Sequence, residues 1–297
     1  MSSIYTSTKP FYAITDNIPS FVILPSDGDP LYAASANVFE KKLFDGNNAV
    51  FESLCKLPNS NSSIRAVCSD GINIRIAPFS VEVALAGTYY FVKTPDEISI
   101  NSSNLEGGGG FMPNTWYYVY YKVTAGPTFS TVISTTAPHK YKLYRDNAGA
   151  QDLTSKYLLS FKVLVGITIL PFKKIGHQTK YMFGLPLLTY GTHVASGAPA
   201  LVDCSLFIPP TACSMYSLIG FRNRSVMSSN VASLYCDNAV SQLFMAFTVG
   251  AEVGASSNEM TSEYSIPFNT TNTFGYEIST TTAPLSGLTV TTIGYTE

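Results

Sequence analysis

The sequence predicts an all-β protein: two antiparallel β-sandwich domains of jelly-roll type, preceded by an extended amino-terminal arm with at most one short helix. Three observations carry this. From residue 64 onward apolar and polar residues alternate with a period of two, which is the repeat of a half-buried strand. The alternating runs are short and are separated by Gly, Pro and Asp-Asn punctuation, the spacing expected of a sandwich or barrel. At 297 residues the chain exceeds what one small core needs, and a Gly/Pro-rich stretch divides the series of strands in two. The expected organisation is an arm over residues 1–45, a first β domain over 46–185 and a second β-sandwich over 186–297.

In the first 45 residues Asp16-Asn17, Pro19, Pro25 and the run from Ser26 to Pro30 break every apolar stretch, as in an extended arm. Between about Asn47 and Leu57 the residues Val50, Phe51, Leu54 and Cys55 recur at helical spacing and allow one short helix. Period two then takes over. Ile72, Ile74 and Ile76 alternate with Asn73 and Arg75, and Val81, Val83 and Leu85 with Glu82 and Ala84. Further strands are expected at Tyr89–Lys93, Trp116–Val123, Thr128–Ser134, Lys140–Tyr144, Tyr157–Val165, Ile167–Phe172 and Thr179–Phe183. The stretch Gly184–Pro199 has turn residues, low charge and no sustained period, and reads as the domain boundary. The second unit then supplies Leu201–Ile208, Met215–Arg222, Val231–Cys236, Leu243–Val249, Ser262–Ile266, Tyr276–Thr281 and Leu288–Tyr295, a count suited to a jelly roll.

Charged residues make up 13% of the chain and apolar residues 45%, with a net charge of −2. About 25% charge is ordinary, so part of this surface is expected to face other protein. The basic residues are few and scattered, as at Arg222 and Arg224, which excludes a nucleic-acid partner that needs phosphate neutralisation. The amino terminus has neither the basic start nor the apolar core of an export signal. The uncharged stretch Tyr181–Val202 is broken by Gly184, Pro186, Gly191, Gly197 and Pro199 and reads as a linker, so no membrane insertion is expected. Five cysteines without a CxxC pair point to free thiols in a reducing compartment, with a Cys55–Cys68 or Cys213–Cys236 bridge left open by the spacing.

Motifs for chemistry are weak. Four glycines in Glu106-Gly-Gly-Gly-Gly-Phe111 could cradle a phosphate, but a strand follows them rather than Gly-Lys-Ser/Thr and a helix. No GxSxG elbow accompanies His139, His177 and His193, each beside a Pro or Gly turn and expected to be solvated. Glu252, Glu259 and Glu263 could supply a glycosidase pair but read more plainly as solvated charges. Asp27-Gly-Asp29 is a fragment of a calcium loop without its later ligands. The expectation is therefore no enzyme, no metal and no cofactor. The most specific feature is the aromatic strand. Trp116, Tyr118 and Tyr120 face one way and Tyr117, Val119 and Tyr121 the other, so Trp116, Tyr117, Tyr118, Tyr120 and Tyr121 are the candidates for an interface or a glycan contact.

The order Asn114-Thr-Trp-Tyr-Tyr-Val-Tyr120, Ser134-Thr-Thr-Ala-Pro138, Tyr157-Leu-Leu-Ser-Phe161, Pro171-Phe172, Gly176 and Tyr181 resembles a β module of virion fibre and appendage proteins of tailed bacteriophages. The unit ending in Leu288–Tyr295 is similar to the small β-sandwich that often follows it. The resemblance implies a non-enzymatic virion component: a homo-oligomer, commonly a trimer, bound to other virion proteins through its amino-terminal part, with β domains displayed outward and a host glycan as a further partner. The run Val163-Leu-Val-Gly-Ile-Thr-Ile-Leu170 departs from the family, where a polar hairpin turn is expected, and predicts extra burial. No long heptad shaft precedes the β domains, which favours a head fibre, decoration or tail-associated subunit over a long tail fibre.

Overall fold

A computed structural model describes residues 3–7, 21–23, 30–32, 64–139, 143–192, 198–223, 230–236, 243–249, 258–268, 272–279 and 287–297. Its strands are β1 (Ser3–Ser7), β2 (Phe21–Ile23), β3 (Pro30–Tyr32), β4 (Arg65–Cys68), β5 (Ile74–Ile76), β6 (Ser80–Leu85) and β7 (Thr88–Lys93). There follow β8 (Ile98–Ile100), β9 (Trp116–Thr124), β10 (Thr128–Ser134), β11 (Tyr144–Asn147), β12 (Ala150–Lys162), β13 (Phe172–Ile175) and β14 (Gln178–Gly191). The last are β15 (Ala200–Asp203), β16 (Ser214–Asn223), β17 (Asn230–Cys236), β18 (Leu243–Val249), β19 (Asn258–Pro267), β20 (Thr273–Ser279) and β21 (Gly287–Thr296). Among the described residues there is no α-helix, only a 3-10 turn at Ser102–Asn104 capped by Asn101. The helix expected near residues 47–57 lies outside the described residues.

Among the described residues every strand pair is antiparallel, the pairing that short strands joined by tight turns favour. The central element is an eight-stranded sheet in the order β19-β16-β21-β14-β13-β4-β5-β8. Among the described residues there are also two four-stranded sheets, β10-β9-β12-β11 and β15-β20-β17-β18, a three-stranded one, β1-β7-β6, and a two-stranded one, β2-β3. One core forms where β4, β5 and β13 of the long sheet give Cys68, Ile74, Ile76 and Phe172 to Val81, Val119, Leu159 and Phe161. The other forms where β16 and β21 give Met215, Ile219 and Val290 to Leu234, Phe274 and Ile278. Each such side chain contributes on the order of 1.5–3 kcal/mol by leaving water.

The structure has two hydrophobic cores, and residues 185 and 186, between which the sequence places its boundary, both lie in β14. This strand pairs with β13 on one side and β21 on the other, so one sheet runs through both units. The Gly and Pro residues that read as a linker mark three register shifts along β14, which is how a long strand bends without ending. Two of the glycines are sites of close approach: a Cβ at Gly184 would meet Thr291 Cγ2 at 2.7 Å, and one at Gly191 would meet Tyr276 at 2.7 Å.

Two other expectations are corrected. Ile167–Phe172 is not a continuous strand: it follows a turn at Val165–Gly166 in which Ile167 N–H donates to Leu164 O at 3.0 Å, Ile169 makes only an isolated bridge to Val163, and β13 begins at Phe172. The apolar run it belongs to is not buried at its centre, since Val165 and Ile167 are 73% and 57% exposed. Leu201–Ile208 is a strand only to Asp203, whose carboxylate then accepts from Ser205 N–H at 2.8 Å and starts a turn. Of the expected arm, β1 adds to the edge of β7 and β2 pairs with β3, and the rest lies outside the described residues.

Candidate functional site

β9 lies between β10 and β12, so both of its faces must be covered. On one face Tyr117 stacks on Phe161 at 5.6 Å, and Tyr121 stacks on Phe129 at 6.2 Å and meets the edge of Phe79 at 5.5 Å. On the other face Tyr118 and Tyr120 cluster with Tyr157 of β12, with ring centroids 6.5 and 5.9 Å apart. Tyr120 Oη donates to Thr136 O at 2.8 Å, so its polar end is satisfied as well. Trp116 reaches the second unit: its Nε1–H donates to Ser205 O at 3.0 Å and its ring lies edge-on to Tyr295 at 6.2 Å.

The pleat is the one the sequence predicts, but its cover comes from within the chain. Tyr117, Tyr118, Tyr120 and Tyr121 are buried, and Trp116 is half-buried. As expected contacts for a partner or a glycan, the four tyrosine rings are already taken up by intramolecular packing.

The polar centre of this seam is Glu297. The alternation of β13 turns Phe172 and Lys174 inward and Lys173 and Ile175 outward, which withdraws the Lys174 ammonium from water. Glu297 Oε2 accepts from Lys174 Nζ at 3.0 Å, with the two side chains 1% and 2% exposed. Glu297 Oε1 accepts from Tyr157 Oη at 2.6 Å, Ser160 Oγ at 2.6 Å and Thr211 Oγ1 at 2.7 Å. Burial alone would raise the Glu297 pKa, but Lys174 and the three hydroxyl donors outweigh it and hold the carboxyl below its ordinary value. Tyr295 Oη donates to Ser160 O at 3.1 Å, and Tyr181 Oη donates to Phe207 O. Both oxygens of the carboxylate are thus engaged, and the chemistry available to the group is to join β12, β13, β21 and the Thr211 turn.

The remaining sequence candidates are dispersed. His139 is buried rather than solvated, with Nε2 3.1 Å from Gly149 O. His177 occupies the exposed turn between β13 and β14, and its carbonyl accepts from Glu297 N–H at 3.0 Å. Glu263 pairs with Lys180 at 3.6 Å on the surface, and Glu259 lies opposite Arg222 in the β16–β19 register. His193, Glu252, Asp27 and Asp29 lie outside the described residues. The glycine run takes positive φ at Gly107, Gly108 and Gly109. It is tied at one end by Glu106, which pairs with Lys122 at 2.9 Å and Arg145 at 2.6 Å, and at the other by buried Phe111. Cys68, Cys204 and Cys213 are free thiols, and burial pushes Cys68 up to about 11 and Cys204 up to about 12.

No protein family and no curated protein matches the sequence. Among solved structures the chain is similar to one from the structure of infectious bursal disease virus, Gx strain, at 11% identity and a TM-score of 0.18, over 80% of this chain and 67% of that one. At that TM-score the likeness carries no argument.

Proposed function

We propose that the chain is a non-enzymatic structural subunit of a virion, a head-fibre, decoration or tail-associated component that works by assembly with copies of itself and with other virion proteins. The observation that carries the assembly is an apolar tip. Ile72, Val165 and Ile167 are 61%, 73% and 57% exposed, on two loops joined by a hydrogen bond from Ile169 N–H to Gly71 O at 2.7 Å. The tip is held in shape. Asp70 Oδ1 accepts from Ile72 and Asn73 N–H at 2.9 and 2.8 Å, and Asn73 and these backbone donors bring the Asp70 carboxyl down to about 2. Ile167 sits at φ +60°, a region that β-branched residues avoid unless the surroundings enforce it. Three aliphatic side chains presented to solvent on ordered loops favour burial against a second copy.

The low charge of the chain and its resemblance to phage appendage modules support the virion reading, and residues 1–45 would carry attachment to the particle. Solution mass measurement tests the assembly. A stable oligomer that falls to monomer when Ile72→Asp and Val165→Asp are combined is the expected result; a wild-type monomer at every concentration would end this reading.

A further inference from the structure

The outward face of β4, β5 and β13 carries a groove of about 370 Å³. Its layout follows from the register. Lys173, Val67, Arg75 and Ser99 lie side by side across four strands. In the neighbouring row Ile175 lies beside Arg65, whose carbonyl accepts from Ala77 N–H at 2.9 Å. The small side chains of Val67 and Ala77 form the floor, and Lys173, Arg65 and Arg75 stand around it. With strands about 4.8 Å apart, Lys173 and Arg75 are separated by roughly 10 Å, a span that a guanidinium and an ammonium can close over one anionic group.

Charge balance at the groove is incomplete. Arg75 meets Glu97 at 4.0 Å, both side chains being about half exposed, 53% and 52%. Among the described residues Arg65 and Lys173 have no ion pair or side-chain hydrogen bond. Like charges on adjacent strands repel, and an anion set between them would relieve that repulsion. Glu97 and Ser99 at the edge supply acceptors for neighbouring hydroxyls.

We propose that this groove binds an acidic saccharide, with its carboxylate or sulfate between Arg65, Lys173 and Arg75 and its hydroxyls toward Glu97. A nucleic acid fits less well. The groove has three cations and a carboxylate at one edge, and among the described residues no aromatic side chain lines it to stack on a base. The site does not depend on the assembly reading.

The test is binding of the full chain, at low and physiological salt, to a heparin hexasaccharide, to an oligogalacturonate and to a single-stranded oligonucleotide of similar charge. Saturable binding of either saccharide that weakens about tenfold or more in the Arg65→Gln/Lys173→Gln double variant is expected. Preference for the first probe names sulfate as the recognised group and preference for the second names carboxylate. Glu97→Gln should not abolish binding, since it removes a charge that repels the anion. Both cations are exposed, so circular dichroism of the double variant should match wild type. No binding of either saccharide, binding that the double variant leaves unchanged, or tighter binding of the oligonucleotide would overturn the proposal.

Discussion

Lys174 and Lys156 are each 1% exposed, yet the chain surrounds them differently. Lys174 lies at the seam between the two units and meets a carboxylate saturated with hydroxyl donors. Lys156 lies inside the first unit, with Nζ 4.7 Å above the centroid of the Tyr144 ring and no hydrogen bond among the described residues. Its nearest opposite charge is the buried Glu82, and desolvation outweighs that attraction and brings its pKa down to about 8. At the seam the charge is compensated and ties four elements together; in the interior it is tolerated, balanced by a ring face and by the attraction of a buried carboxylate.

The largest way to break this contrast is Glu297→Ala. It strips Lys174 of its partner in a buried site and leaves three hydroxyls without their acceptor, so a loss of about 3–5 kcal/mol is expected in denaturant unfolding. Lys174→Met combined with Glu297→Gln should recover much of it, because the pair is then replaced rather than broken. The seam also sets the acid limit. Since the folded Glu297 pKa lies below its unfolded value near 4.5, its stabilisation is fully present above that value and is lost as pH falls through the depressed one.

Lys156 should act on the alkaline side with the same direction of slope, but there the rise relieves a desolvation penalty instead of restoring an ion pair. Its folded pKa of about 8 lies below the ordinary 10.5, so between these values the unfolded chain binds more protons and stability rises with pH. The full difference corresponds to about 3 kcal/mol, of which the part below roughly pH 9 is measurable before the buried Cys68 and Cys204 thiols and then the buried tyrosines, whose raised pKa values favour the protonated folded state, oppose it. Denaturation midpoints measured from pH 7.5 to 8.5 should climb in the wild type, and the climb should vanish in Lys156→Met. A flat wild-type profile would show that Lys156 is not desolvated as described.

The smallest effect is expected at the rim of the seam. Trp116→Phe keeps a ring beside Tyr295 but removes the Nε1–H bond to Ser205 O, and should lower stability by about 1 kcal/mol. A change as large as that of Glu297→Ala would mean that the seam is held by the indole rather than by the carboxylate.

Strand identity was legible wherever the period-two pattern was strong. The expected segments Thr128–Ser134, Val231–Cys236 and Leu243–Val249 coincide with β10, β17 and β18. So was the pleat of β9, because alternation is a local property of an extended backbone. The seam left one trace, a lysine at the inward position of Phe172-Lys-Lys-Ile175, but no local pattern pairs it with a glutamate 123 residues away.

By itself, then, the sequence determined that this chain is all-β, that its strands pair antiparallel and which side chains share a face, since these follow from alternation and from turn residues between neighbours. Tertiary structure alone decided that Gly184 and Gly191 bend a strand shared by both units, that Val165 and Ile167 remain in solvent, and that Lys174 finds Glu297. The physical reason is the same in each case. What a glycine, an aliphatic turn or a buried charge does depends on the atom placed opposite it, and that atom comes from a distant part of the chain.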